Sequence, residues 1–149
     1  MDQTKDRIDH LNKLVTINND RIEGYQKAAD ETNDPDLKAL FEANAQQSAR
    51  FKMEIAEEIA LLGGKINEGT SATGKLYHAW MDIRHALSTN DRKAVLKSCE
   101  FGEDIALETY NEALNTDIPY SPGCRLKLEN QRLELQRAHD SIKKLRDIV

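Results

Sequence analysis

The chain has 149 residues, with 7 Gly, 3 Pro, 5% aromatic and 32% charged side chains and a formal net charge of -5. So few breakers among so many Lys, Glu, Ala and Leu favour helices over sheets, and the length suits one domain, 1–149, with a real core. Both charge signs are interspersed without a basic block, so no nucleic-acid partner is expected. No apolar run reaches the ~18 residues of a membrane span, and the segment Met1 to Asp6 lacks a secretory h-region, so a cytoplasmic protein is expected.

Five helices are predicted. The first runs from about Thr4 to Thr32, where Ile8, Leu11, Val15, Ile22, Tyr25 and Ala29 follow alternating steps of three and four and Asn18 fills the missing step. Asn33-Asp34-Pro35 breaks it, with Asp34 suited to an N-cap and Pro35 to a first helical position. The second helix carries Phe41, Ala45, Ser48, Phe51, Ile55, Ile59 and Leu62 on one face and stops at Gly63-Gly64. The loop that follows contains Gly69 to Gly74, which lacks the Lys-Ser/Thr ending of a phosphate-binding loop and reads as a flexible turn with Ser/Thr capping.

A short third helix, about Gly74 to Leu87, holds Leu76, Trp80, Ile83 and Leu87; Trp80 should pack, its indole N–H finding an acceptor. Thr89-Asn90-Asp91 resets the chain. The fourth helix presents Leu96, Cys99, Glu103, Ala106, Tyr110 and Ala113, and Pro119 and Pro122 mark a second turn. The fifth carries Leu128, Leu135, His139, Ile142, Leu145 and Val149. Two long hairpins joined by a short third helix predict an all-α four-helix bundle with one long crossover between the second and fourth helices. That third helix reaches roughly 20 Å at 1.5 Å per residue, enough to return the chain along most of the bundle. A weak internal repeat aligns Ile22-Glu23-Gly24-Tyr25 with Leu107-Glu108-Thr109-Tyr110, and so Asn18 with Glu103.

Each long helix has one polar residue inside its apolar stripe: Asn18, Ser48, Glu103 and His139. Each pair is equidistant from its hairpin turn, so all four should share one middle slice. A carboxylate buried there needs a partner. His139 is the expected one, and Gln136, one turn earlier, is able to join it. Such a layer either fixes helix register, as a core Asn does in coiled coils, or holds a ligand. Glu100, Glu103 and Asp104 cluster within a turn, and with His78 or His85 of the third helix they suggest a mononuclear iron, zinc or manganese site; the plainer alternative is a solvated acidic face. His10 should be exposed. Cys99 and Cys124 form no CxxC pair and read as reduced thiols. No nucleophile, base and orienter set for a hydrolase appears.

The stretches Asp20 to Ala29 (DRIEGYQKAA), Asp36 to Phe41 (DLKALF), Gly74 to Leu87 (GKLYHAWMDIRHAL), Cys99 to Tyr110 (CEFGEDIALETY) and His139 to Asp147 (HDSIKKLRD) resemble the ferritin-like superfamily, nearest to rubrerythrin-type hairpins. More narrowly, they resemble small bacterial four-helix-bundle proteins of unknown function. The superfamily's di-iron site takes a Glu from each of two helices and Glu-x-x-His from each of the others. By position, the resemblance puts these ligands on Asn18, on Ser48 and Phe51, on Glu103, and on Gln136 and His139. A register one turn away, with Glu23, Gln47 and Arg50, also lacks Glu-x-x-His. The resemblance therefore implies an eroded di-iron site with no ferroxidase or iron-storage chemistry.

Three functions follow as expectations. One is a non-enzymatic bundle without cofactor, acting as a homodimer or through a protein partner. Another is a metalloprotein with a reduced site on Glu103, His139 and Glu100, doing redox or stress-related chemistry. The third is a small-molecule carrier with a pocket between helices.

Overall fold

A computed structural model describes residues 3–70, 74–115 and 117–148; the centre of the loop read as a Ser/Thr-capped turn lies outside them. The described residues form five helices and no strand: α1 (Thr4–Glu31), α2 (Pro35–Leu61), α3 (Lys75–Ser88), α4 (Arg92–Leu114) and α5 (Pro122–Ile148). Local chemistry sets the ends as the sequence predicts. Asp34 Oδ1 accepts from the backbone N–H of Asp36 at 2.9 Å and of Leu37 at 3.3 Å, meeting two of the donors a helix start leaves unpaired. Asp91 caps α4 through the N–H of Ala94 at 3.0 Å. Gly63 ends α2 at φ 79°, a conformation nearly free of cost only for glycine.

Side-chain contacts give the helix directions. Tyr25 meets Glu103 while Asn18 meets Tyr110, so α1 and α4 run antiparallel. Arg50 meets Glu134 while Glu58 meets Lys127, so α2 and α5 do too. Asp34 meets Arg92, placing the starts of α2 and α4 at the same end. The short α3 lies along α1 and α4, with Arg84 on Glu31 and Leu76 near Gly102. Two glycines admit this approach. A Cβ at Gly24 would overlap the indole of Trp80, and one at Gly102 would lie 3.3 Å from Leu76 Cδ1.

Two apolar clusters fill the interior, one around Leu11, Leu14, Phe51, Ile55 and Leu135, the other around Phe41, Leu96, Cys99 and Ile142. Thirteen residues of α1 are buried, including Asn12, Asn18, Asn19, Asp20 and Arg21, because α2, α4, α3 and the loop after α2 surround it. That loop is tied down, not free. Asn12 Nδ2 donates to Lys65 O at 2.9 Å and its Oδ1 accepts from Asn67 N at 2.8 Å. Asn19 Nδ2 donates to Asn67 O at 3.1 Å and Gly69 O at 2.9 Å. Among the described residues, no helix is long and apolar enough to cross a membrane.

Candidate functional site

Polar residues do collect midway along the helices, but not as the sequence pattern suggests. Asn18 and Ser48 are wholly buried and Glu103 is 1% exposed. The fourth member expected, His139, lies at the edge. Its Nε2 sits 2.8 Å from Asp104 Oδ1 and its Nδ1 3.2 Å from Asp140 Oδ1, both carboxylates more than half exposed. The hydrogen bond from His139 is the leading cause that holds the Asp140 carboxyl below its ordinary pKa. Gln136 is exposed too and donates to Asp140 at 3.0 Å. The stripe that α5 buries is Cys124, Leu128, Gln131, Leu135 and Ile142, which turns Gln131 inward and leaves Gln136 and His139 off the seam.

Arg21 takes the role expected of His139. Its side chain is 1% exposed. Nη2 lies 2.8 Å from Glu103 Oε1 and 3.1 Å from Gln47 Oε1, and Nη1 donates to Ser48 Oγ at 2.5 Å. Its guanidinium also lies 5.5 Å from the Tyr25 ring centre, within cation–π range. Burial, the largest single influence, works against this charge, but Glu103 together with Tyr25 and Tyr110 outweighs it, so the Arg21 pKa lies above its ordinary value. The Tyr25 hydroxyl donates to the same Oε1 of Glu103. Burial, with the Glu103 charge next, pushes the Tyr25 phenol well above its ordinary pKa.

A second arm continues the network. Asn18 Nδ2 donates to Tyr110 Oη at 2.9 Å, and Tyr110 donates to Gln131 Oε1 at 2.6 Å. Gln131 Nε2 reaches Phe51 O at 3.4 Å and Glu54 Oε1 at 3.2 Å. The weak sequence repeat thus becomes a reciprocal exchange. Each helix's layer residue bonds the tyrosine of the other, Asn18 to Tyr110 and Glu103 to Tyr25. Arg21, Gln131 and the two tyrosine hydroxyls were not singled out by the residue pattern. Gln131 carried a signal, since it fills the heptad step between Leu128 and Leu135 just as Asn18 does on α1. For Arg21 the apolar neighbour Ile22 fits the stripe equally well by spacing, yet Ile22 ends up half-buried and Arg21 buried.

The three residues proposed as metal ligands do not converge. Glu103 is held by Arg21 and Tyr25, Glu100 pairs with Arg146 at 2.5 Å, and His139 faces Asp104. His78 and His85 are exposed, opposite the buried Leu76, Ala79, Ile83 and Ala86 of α3. His10 is half-buried, its Nδ1 2.9 Å from Asp6 O. The Trp80 indole packs edge-on to Tyr25 with centroids 4.7 Å apart, but its buried N–H has no acceptor. Among the described residues, no three His, Cys, Asp or Glu side chains gather as a metal ion requires. Nor does the donor set fit a di-iron pair of the kind found in the superfamily that the sequence resembles. Of the six positions, Phe51 is core and Gln136 is exposed. Ser48 binds Arg21, and Asn18 donates its amide to Tyr110 and to Leu14 O. A fixed guanidinium stands beside Glu103, the one carboxylate among those six positions, where a second cation would be repelled.

Cys99 and Cys124 are free and buried. No curated protein matches the chain. Residues 6–116 match the family described as Domain of unknown function (DUF2383), a stretch that takes in nearly all of α1 and α2 to α4, with both tyrosines of the network but not Gln131, and the chain belongs to that family.

Proposed function

We propose that the protein is a ferritin-like four-helix bundle, with α3 as its crossover helix, that has dispensed with a di-iron site and acts without catalysis, as a homodimer or on a protein partner. The helix directions support this architecture, since α1 opposes α4, α2 opposes α5 and α3 returns the chain between them. The single observation that carries the functional reading is the Arg21–Glu103 pair at 2.8 Å. The one interior carboxylate at the inherited ligand positions already has its counter-charge, so the layer needs no ion to balance Glu103, although Glu103 Oε2 and Arg21 Nε keep no hydrogen-bond partner. Untagged protein, purified anaerobically, tests this by elemental analysis together with light scattering. Metal below about 0.1 per chain and a mass twice that of the chain are expected. Stoichiometric iron, zinc or manganese would replace this reading with the metalloprotein one, and a monomer would leave only the partner-binding form of it.

A further inference from the structure

The interior layer has the composition of a receptor for one planar cation. The two terminal nitrogens of Arg21 meet three different oxygen acceptors, Ser48 Oγ, Gln47 Oε1 and Glu103 Oε1. The acceptors come from α2 and α4, so the site closes only when the two hairpins dock. The Tyr25 ring lies beside the guanidinium, and its hydroxyl orients the carboxylate by donating to the same oxygen. One charge, several acceptors on a forked donor and one aromatic wall are the features that distinguish a guanidinium from an ammonium or a metal ion, although the third nitrogen, Arg21 Nε, has no acceptor. A metal would call for several anionic oxygens or imidazoles around one point, whereas here one anion serves a forked donor.

We propose that the middle of the molecule is a guanidinium-selective binding site whose guest is the protein's own Arg21. The proposal rests on the metal-independent reading above but asks a separate question, namely which cation the site itself selects. Shortening the side chain in Arg21→Ala removes the guest and leaves Ser48, Gln47, Tyr25 and Glu103 in place. Millimolar guanidinium chloride should then raise the Tm of Arg21→Ala by several degrees, as a ligand of the folded state does, while the same salt leaves the native protein unmoved or slightly lowers its Tm. Sodium chloride, urea and methylammonium chloride should not reproduce the rise, and Arg21→Ala/Glu103→Gln should not show it.

Manganese and zinc serve as the metal arm. A rise with either ion at micromolar concentration, and none with guanidinium, would overturn the proposal while leaving the native protein's lack of metal intact. Equal rises with sodium and guanidinium would overturn it as well. Should Arg21→Ala not fold, the native protein provides the decisive measurement by nitrogen-15 NMR. Held by three acceptors, the Arg21 Nη hydrogens should appear as separate, slowly exchanging signals. A single averaged Nη signal exchanging as fast as that of a surface arginine would refute the receptor.

Discussion

The buried pair admits a quantitative test through a double-mutant cycle. Glu103→Gln keeps the shape of the side chain but removes its charge, leaving the Arg21 guanidinium 1% exposed with only neutral acceptors, namely Ser48, Gln47 and the new amide oxygen. Breaking a buried ion pair from one side costs about 3–5 kcal/mol, because the remaining charge stays desolvated without a counter-charge. For a chain of this size that lowers Tm by roughly 10 °C, within the ~5–15 kcal/mol of stability a domain usually has. Replacing both partners by apolar residues of similar volume, Arg21→Met with Glu103→Leu, removes the uncompensated charge. That double variant should match the native stability or exceed it by ~1–4 kcal/mol. Native protein, Arg21→Met, Glu103→Leu and their combination are the corners of the cycle, and urea unfolding by linear extrapolation measures each of them and Glu103→Gln, provided the slope is unchanged. A Glu103→Gln cost under about 1 kcal/mol, or a double variant that loses as much as the two single variants combined, would show that the guanidinium is solvated and the pair only apparent.

Other expectations follow from local geometry. Gly24→Ala places a methyl against the Trp80 ring and should cost about 1–3 kcal/mol by overpacking, with a shifted emission maximum from the sole tryptophan; unchanged emission and stability would mean that α3 does not rest on α1. Burial pushes the Tyr120 phenol up to about 12 and raises Tyr25 and Tyr110 as well. Because these folded pKa values exceed the unfolded one near 10, their contribution to stability is complete below pH ~10 and is lost as pH rises through the folded values. Absorbance titration should therefore show these three phenols ionising only with alkaline unfolding. Burial likewise raises the Cys124 thiol to about 11, and Cys99 further, so neither thiol should react with a disulfide reagent at neutral pH until denaturant is added. Asp34→Ala removes the N-cap of α2 and should cost ~1 kcal/mol at neutral pH. Burial opposes the Asp34 charge, but the backbone N–H groups of Leu37 and Asp36, with Arg92, hold its pKa below the ordinary value. That contribution is thus present above pH ~4 and lost as pH falls through the lowered value, so native and variant urea midpoints should converge in acid.

What the sequence disclosed depended on the kind of signal. Helix ends are local, and the cap at Asp34, the stop at Gly63 and the break at Thr89-Asn90-Asp91 were readable because one side chain or one φ angle decides them. The stripes of α2 and α4 were readable as well, including Ser48 and Glu103. The error on α5 is a matter of degrees. His139 and Ala138 both end half-buried at the border of the stripe, and the pattern Leu128, Leu135, Ile142 does not say which neighbours turn inward until the partner helices fix its rotation. Arg21 was hidden for a different reason. Charged residues are almost never fully buried unless paired, so its burial depends on an acid 82 positions later in the chain, a non-local fact that no window around residue 21 contains. Asn12 and Asn19 were missed in the same way, since the carbonyls they bind belong to the loop after α2.

The repeat explains why the network needs both halves of the chain. Aligned on their tyrosines, α1 offers Asn18, Arg21 and Tyr25 where α4 offers Glu103, Ala106 and Tyr110. The helix with the neutral amide carries the arginine, and the helix with the carboxylate carries an alanine. Neither set is balanced alone. Glu103 without α1 is a buried anion with no donor, and Arg21 without α4 is a buried cation lacking its counter-charge. Docked, the Asn18–Tyr110 arm closes as a neutral chain ending on Gln131, and the Glu103–Tyr25 arm closes on the guanidinium. A symmetric pair of hairpins would have put two carboxylates or two amides in this layer, leaving either a net charge of -2 that needs metal or a neutral layer that sets register through amide hydrogen bonds alone. The asymmetric exchange instead rejects a shifted register by several kcal/mol, since a slip of one turn strands both charges in an apolar core.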